Sequence, residues 1–588
     1  MNFRLKPGDL KLLGVFFRFL KPHKLFVIVA LCAVPLTTGA SVLIPYLLVH
    51  IVDEYIVVGN LQGLYLMSIF FAGAVFLGYI ADGVYSFTLQ NAGQRSIADM
   101  RKALFEHTIR LPRSYFDNHP IGVTLSRLTS DLETMGESIA TSVLALFTDF
   151  FKTVSLLCFL LYLSWKLTLL IILVFPVVYF VVSFIRKKLR FHFNQARKAL
   201  AEATGYLQES LNGIKTIQLL VAERKVQERF RDKNKNFLKA QTQANTYDAT
   251  LFAIVDSLTS VTMALVIWYG SRQILAEIVT IGVLIGFINT LSRIFIPIRE
   301  FAQQIALIQR ALSALEHVNG LFAIQPEQEA ITEENQNPPP STFQQLTFNK
   351  VTFQYNRKGN YVLNDLSFSL EKGEKIAIVG TTGSGKSTVL KLITKCYSDF
   401  TGSITVNDVD IRKIPRKTVN QIITLMHQDT YLFNESIAFN ISLNRPGIDE
   451  KQIWEAAAYV HAHEFIRKLP GQMEYKIIEH GSNLSTGQAQ LISFARAIAG
   501  NSELILLDEA TSSVDSVTEE LIQKAIERIF NDKTVIAVAH RLSTIRKSDR
   551  ILVMKDGKIV ESGNHESLVK AGGHYVQLLK AMDNNENV

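Results

Sequence analysis

The chain has 588 residues, 48% of them hydrophobic and 19% charged, with a formal net charge of +8. A mean hydropathy of +0.18 is too apolar for a disordered or fibrous chain, and the charged share is too high for a chain lying wholly in a bilayer. One membrane part joined to one soluble part is what remains. The three cysteines, Cys32, Cys158 and Cys396, are scattered without CxxC spacing, so they support neither a disulfide framework nor a metal site.

The first 24 residues carry Arg4, Lys6, Lys11, Arg18, Lys21 and Lys24 against the single acid Asp9. They lack a small-residue cleavage site, and the apolar run that follows is too long for a signal peptide. Residues 8–20 read as an amphipathic helix at the inner interface.

A membrane-crossing helix needs about 20 mostly apolar residues. Residues 25–52, 61–81 and 167–185 contain no Asp, Glu, Lys or Arg. Three less clean candidates contain Asp149 and Lys152, Asp248 and Asp256, and Arg293 and Arg299. The expectation is six spans, at about 24–50, 61–90, 139–163, 166–186, 247–271 and 278–303.

Loop charge sets their orientation. Residues 50–65 hold no Lys or Arg, whereas 91–138 and 186–246 are rich in both. Both termini and the two long loops are therefore expected in the cytoplasm of an inner-membrane protein. The excess of basic residues reads as loop charge, with no nucleic-acid partner. Asp149 and Lys152 at i, i+3 are able to pair on one helix face. Asp82 and Asp256 either line a substrate path or make interhelical hydrogen bonds.

The long loops read as helical continuations of the spans, arms that carry movement away from the bilayer. Residues 325–341 are acidic and contain Pro338, Pro339 and Pro340, which marks a linker. The expected domains are a transmembrane domain over 1–324, this linker, and a nucleotide-binding domain over 342–588.

Beyond the linker, β-branched runs alternate with helical stretches, as in an α/β sheet. The run Lys375–Val379 leads into Gly380-Thr381-Thr382-Gly383-Ser384-Gly385-Lys386-Ser387-Thr388, a phosphate-binding loop in its required strand–loop–helix context. Gly383 and Gly385 let backbone N–H groups wrap the phosphates. Lys386 neutralises their charge, and the Ser387 hydroxyl is a Mg²⁺ ligand. A second strand, Leu504–Leu507, ends in Asp508-Glu509. Asp508 is placed to hold Mg²⁺ and Glu509 to activate water as general base. A third, Thr534–Ala539, delivers His540.

These motifs resemble the ATP-binding cassette family over nearly the whole chain. The stretch Val351-Thr-Phe-Gln-Tyr355 is similar to the family's adenine-stacking segment, with Tyr355 as platform. Gln428 falls at the family's Q-loop glutamine, which reaches Mg²⁺. Leu484-Ser485-Thr486-Gly487-Gln488 resembles the signature that acts on the partner's ATP. Asp515 resembles the D-loop aspartate, and His540 the switch histidine. Tyr115-Phe-Asp117 with Gly122 is similar to the first intracellular loop of exporter half-transporters, and Glu209…Gly213…Glu223 to the second.

The resemblance implies a type I exporter fold: six helices with long cytoplasmic extensions fused to an α/β P-loop domain. It further implies ATP and Mg²⁺ as cofactors and a functional dimer in a lipid membrane. The activity implied is ATP-driven export of a hydrophobic or amphipathic substrate, drug-like or lipid. An ATP-gated channel or regulatory receptor on the same scaffold is the alternative.

Thr486 replaces the first glycine of the signature pair. Ala489 and Leu491 stand where many members carry arginine, and Ile478-Glu479-His480 replaces a Val-Gly-Glu-type stretch. All are expected on the face that acts on the partner's ATP, while Lys386, Ser387, Asp508, Glu509 and His540 are complete. That asymmetry resembles the B-type half of heterodimeric multidrug-resistance-like ATP-binding proteins. A heterodimer with a second half-transporter is favoured over a homodimer.

Overall fold

The computed structural model describes residues 7–326, 340–355, 359–427, 430–508, 516–539 and 542–586, without the side chains of 7–12, 137–144, 178–179, 295–303, 305–306, 516–517, 543 and 582–586. The chain divides into two compact units, Met1–Thr108 with Gly122–Ile324 and Ile109–Ile121 with Gln325–Val588. A short segment from the first half of the chain thus packs with the second half.

The first unit is helical. Its helices are α1 (Pro7–Leu20), α2 (Lys24–His50), α3 (Leu61–Thr108), α5 (Ile121–Ser126), α6 (Leu132–Leu163), α7 (Trp165–Asn212), α8 (Ile214–Leu219), α9 (Glu223–Leu275) and α10 (Ile281–Phe322); α4 (Arg113–Asn118) belongs to the second unit. A helix, α1, covers the residues 8–20 expected to be helical. Five described helices are long and apolar enough to cross a membrane: Leu13–Ile56, Leu61–Thr108, Ala145–Leu163, Trp165–Asn212 and Glu223–Leu275. The sixth expected span begins in α10, whose described apolar stretch is Ile281–Ile294.

The arms are helical, as the charge-rich loops suggest. At about 1.5 Å per residue, the 48 residues of α3 extend roughly 72 Å, more than twice the roughly 30 Å of a bilayer core. Leu156, Leu160, Leu167, Ile171, Val266, Phe287, Leu291 and Ile294 are buried together between α6, α7, α9 and α10. Hydroxyls inside these helices bond their own backbone, as Thr262 does to the Leu258 carbonyl at 2.7 Å and Thr290 to the Gly286 carbonyl at 2.7 Å. These two hydroxyls cross an apolar medium without orphaned donors, whereas the Thr38 hydroxyl of α2 is buried with no hydrogen-bond partner among the described residues.

One charge within the spans also pairs between helices. Lys152 Nζ donates to Asp82 Oδ1 at 3.0 Å, joining α6 to α3. The lysine stem is long enough to reach the neighbouring helix.

The second unit contains two sheets. One has the order β10-β9-β3-β8-β7-β6, where β3 is Lys375–Gly380, β6 Ile423–Met426, β7 Leu504–Asp508, β8 Thr534–Val538, β9 Arg550–Lys555 and β10 Lys558–Gly563. Strands β6, β7, β8, β3 and β9 run parallel, and β10 is antiparallel to β9. Every residue of β8 is buried, which explains its unbroken apolar run. The other sheet is antiparallel with order β2-β1-β4-β5, from Leu363–Glu371, Gln345–Phe353, Thr401–Val406 and Val409–Asp410. Helix α11 (Lys386–Ile393) follows β3.

Candidate nucleotide site

Parallel pairing in the order β3-β8-β7 brings three strand ends side by side. Ile378 of β3 and Asp508 of β7 both lie opposite Val538 of β8. The loop after β3, Asp508, and the chain leading to residue 540 therefore emerge at one edge, where open parallel sheets bind ligands. Glu509, Asp515, His540 and Gln428 lie outside the described residues.

Gly383 and Gly385 adopt φ +85° and +99°, and a Cβ at Gly385 would approach Leu363 Cδ2 to 2.7 Å and the Val362 carbonyl to 2.8 Å. Only glycine fits at 385. Gly385 is also the N-cap of α11, so the loop presents the N–H groups of a helix start, a natural anion cradle. The Ser384 hydroxyl is buried with no hydrogen-bond partner among the described residues, which fits a loop built to close on a ligand.

Lys386 Nζ donates to the Gly380 and Thr381 carbonyls at 2.8 and 3.0 Å. Burial pushes this ammonium below the usual lysine range, and Asp508 opposes the shift. Ser387 Oγ donates to Asp508 Oδ1 at 3.2 Å. A hydroxyl and a carboxylate so close together form a hard oxygen donor set that suits Mg²⁺.

Tyr355 lies beside this loop. Its hydroxyl is 2.9 Å from Thr388 Oγ1 on α11, and Lys391 Nζ sits 5.5 Å from its ring centre. The ring meets Phe353 and Tyr397 edge-on at 5.0 and 5.2 Å. Tyr397 was not singled out in the sequence, yet its hydroxyl donates to the Asp117 carboxylate of α4. Burial, then that bond, pushes the Tyr397 phenol far above its ordinary range, so it stays a donor. Arg113 holds the same carboxylate at 3.2 Å. Tyr355, Tyr397 and α4 thus form one continuous contact within the second unit.

Ser485 caps the helix Thr486–Ala499. Its Oγ accepts from Gln488 N at 3.2 Å, and Gln488 Oε1 accepts from Ser485 N at 3.1 Å. This reciprocal box fixes the helix start. Ser485 and Thr486 are exposed and Gly487 is buried. Ile478 is 54% exposed, whereas Leu491 is fully buried in the core under the helix. Leu491 therefore does not belong to the exposed face assumed from the sequence; its helical spacing turns it inward.

Comparison with known proteins agrees with this architecture. The transmembrane region of ABC transporters matches residues 27–298, and the ABC transporter domain matches residues 363–512. An ATP-dependent lipid A-core flippase of Desulfotalea psychrophila is 30% identical over 561 residues, covering 95% of this chain and 97% of that protein. YknV of Bacillus subtilis, an uncharacterized ABC transporter ATP-binding protein, is 32% identical over 569 residues, covering 96% and 93%. A bacterial Atm1-family ABC exporter solved with ATP bound shares the fold, with a TM-score of 0.74 at 24% identity over 95% of this chain and 98% of that one. The chain belongs to the ABC transporter family, with the half-transporter architecture of an exporter: a helical transmembrane region fused to an ATP-binding cassette.

Proposed function

We propose that this protein is one half of a dimeric exporter that moves a hydrophobic or amphipathic substrate, drug-like or lipid, across the cytoplasmic membrane. The observation that carries the reading is the Ser387–Asp508 contact at 3.2 Å beside a phosphate loop with Gly385 at positive φ. An ATPase site of this kind, on a chain with membrane-crossing helices, couples hydrolysis to movement of the helices.

In this reading Tyr355 stacks the adenine, and the backbone from Gly380 to Thr388 encloses the phosphates. Lys386 exchanges its two loop carbonyls for phosphate oxygens, which favours its charged form. Ser387, Asp508 and Gln428 would hold Mg²⁺, which would offset phosphate charge. Glu509 takes the proton of the attacking water, and His540 contacts the γ-phosphate. Ser485, Thr486, Gly487 and Gln488 act on the partner's nucleotide with the N-terminus of the helix they open, and Asp515 bridges the two cassettes.

The termini are cytoplasmic, supported by the six basic residues against one acid in the first 24. Threonine in place of glycine at 486, on the exposed signature, supports a heterodimer whose partner supplies an intact signature to this chain's catalytic site. The test is ATPase activity of the purified chain in lipid, alone and with a co-purified second half-transporter. Low activity alone and a rise of at least tenfold with the partner support the heterodimer. Full activity and transport by the single chain overturn it.

A further inference from the structure

We propose that Arg293, with Asn289 and Thr38, binds the oxyanion head of an amphipath inside the helical unit, a phosphate or carboxylate with a hydroxyl beside it. The inference rests on the export reading above and deepens it by naming the class of head group the spans take up.

Two contacts set how α10 lies on α2. A Cβ on Gly282 would come within 2.5 Å of the Val49 carbonyl, and one on Gly286 within 2.5 Å of Val49 Cγ2 and 3.8 Å of the Pro45 carbonyl. The two helices therefore run antiparallel. Gly282, Gly286, Asn289 and Arg293 have the i, i+4, i+7, i+11 spacing of one helix face, and Val49, Pro45, Val42 and Thr38 have the same spacing in reverse. Val42 packs against the buried cluster that holds Phe287 and Leu291, as this register requires. Asn289 and Arg293 thus face the stretch of α2 that carries Thr38.

Each of the three lacks a partner. Asn289 Oδ1 and Thr38 Oγ1 are buried with no hydrogen-bond partner among the described residues. Arg293 is partly buried and makes no ion pair or hydrogen bond among them. Lys152, by contrast, has Asp82 at 3.0 Å. From Ile281 to Arg293 the helix descends roughly 18 Å at about 1.5 Å per residue, past the middle of a core of about 30 Å. No acid lies on α2, and the first on α10 is Glu300, nearly two turns further on. Asp256 belongs to α9, which meets α10 on another face through Gly270 and Leu284. A cation at this depth without an acid is costly and marks a binding position.

The chemistry of the three selects the ligand. A guanidinium offers paired N–H donors that match a phosphate or carboxylate. The Asn289 carbonyl oxygen needs a donor, which a hydroxyl beside the oxyanion supplies, and the Thr38 hydroxyl serves either role. Phosphatidylglycerol carries both features. In phosphatidylcholine the quaternary ammonium offsets the charge and donates nothing.

The test is native mass spectrometry of the full-length chain, titrated with phosphatidylglycerol and phosphatidylcholine of equal chain length and, separately, with oleate. A charge-assisted bond predicts about tenfold or more tighter binding of phosphatidylglycerol than of phosphatidylcholine by the parent. Arg293→Gln is expected to remove most of that preference and Arg293→Lys to keep most of it. Thr38→Val, nearly the same shape, is expected to weaken phosphatidylglycerol several-fold, which keeps the test open if Arg293→Gln does not fold. Weaker binding of oleate than of phosphatidylglycerol, with the difference lost in Asn289→Leu, supports a hydroxylated lipid head. Equally tight, Arg293-dependent binding of oleate supports the oxyanion site with an amphipathic carboxylate as its ligand. No preference in the parent, or the parent's preference unchanged in Arg293→Gln and Thr38→Val, overturns the site. Binding is read without nucleotide, so the two readings fail separately. Arg293-dependent binding with no ATP-driven movement of lipid in vesicles sinks the export reading alone, and the reverse result sinks the site alone.

Discussion

Replacing Tyr397 by phenylalanine separates Tyr355, the proposed adenine platform, from α4 with the smallest change available. The ring remains against Tyr355 and Phe353, so the aromatic packing at 5.2 and 5.4 Å is kept. Only the hydroxyl donated to Asp117 disappears. Hydrogen bonds to charged groups contribute about 1.5–3 kcal/mol. Asp117 is 36% exposed in its side chain and retains Arg113 at 3.2 Å, which points to the low end, about 1–1.5 kcal/mol. That corresponds to a shift of roughly five- to tenfold in how often α4 is engaged. In proteoliposomes, Tyr397→Phe is expected to bind ATP within about twofold of the parent, because the Tyr355–Thr388 bond is untouched, and to keep basal hydrolysis. Substrate moved per ATP should fall about fivefold or more, with Asp117→Ala adding little in the double variant because both remove one bond. An unchanged transport-to-hydrolysis ratio, or additive losses in the double variant, refutes the coupling role.

The other predictions concern the phosphate loop and the chemical step. Gly385→Ala, at φ +99° with contacts of 2.7 and 2.8 Å waiting for its Cβ, is expected to destabilise the cassette by about 2–4 kcal/mol, read as a lower midpoint in urea. Lys386→Met should abolish the thermal shift produced by ATP and change nucleotide-free stability by less than about 1 kcal/mol, since relieved burial offsets the two lost bonds. Because burial depresses the folded-state pKa of this lysine, its charged form disfavours folding at neutral pH. The penalty lifts as pH rises from the depressed folded value toward about 10.4. Glu509→Gln should retain ATP binding, lose steady-state turnover and accumulate a closed dimer by cross-linking; unchanged turnover removes Glu509 as the base.

The phosphate loop and the membrane character were legible because each is written in adjacent residues. Glycine spacing between a β-branched strand and a helix has few other meanings, and uncharged runs of twenty residues have few other homes. Contacts set by register between distant segments were not legible. Lys152 reaches Asp82, 70 residues away on another helix, because helix rotation decides which distant carboxylate comes within its range. Tyr397 and Asp117 are 280 residues apart, and nothing local distinguishes that tyrosine from its neighbours. Leu491 follows the same logic in reverse. A motif comparison places it on an exposed face, while the period of the helix Thr486–Ala499 carries it into the core.

The most direct test of the central claim is uptake of a fluorescent amphipathic lipid into sealed inside-out vesicles containing the protein with its dimer partner. Uptake is expected to require hydrolysable ATP and Mg²⁺, to proceed against a gradient, and to vanish in Ser387→Ala. Equal movement of the probe without ATP, or in Ser387→Ala vesicles, contradicts ATP-driven export by this chain.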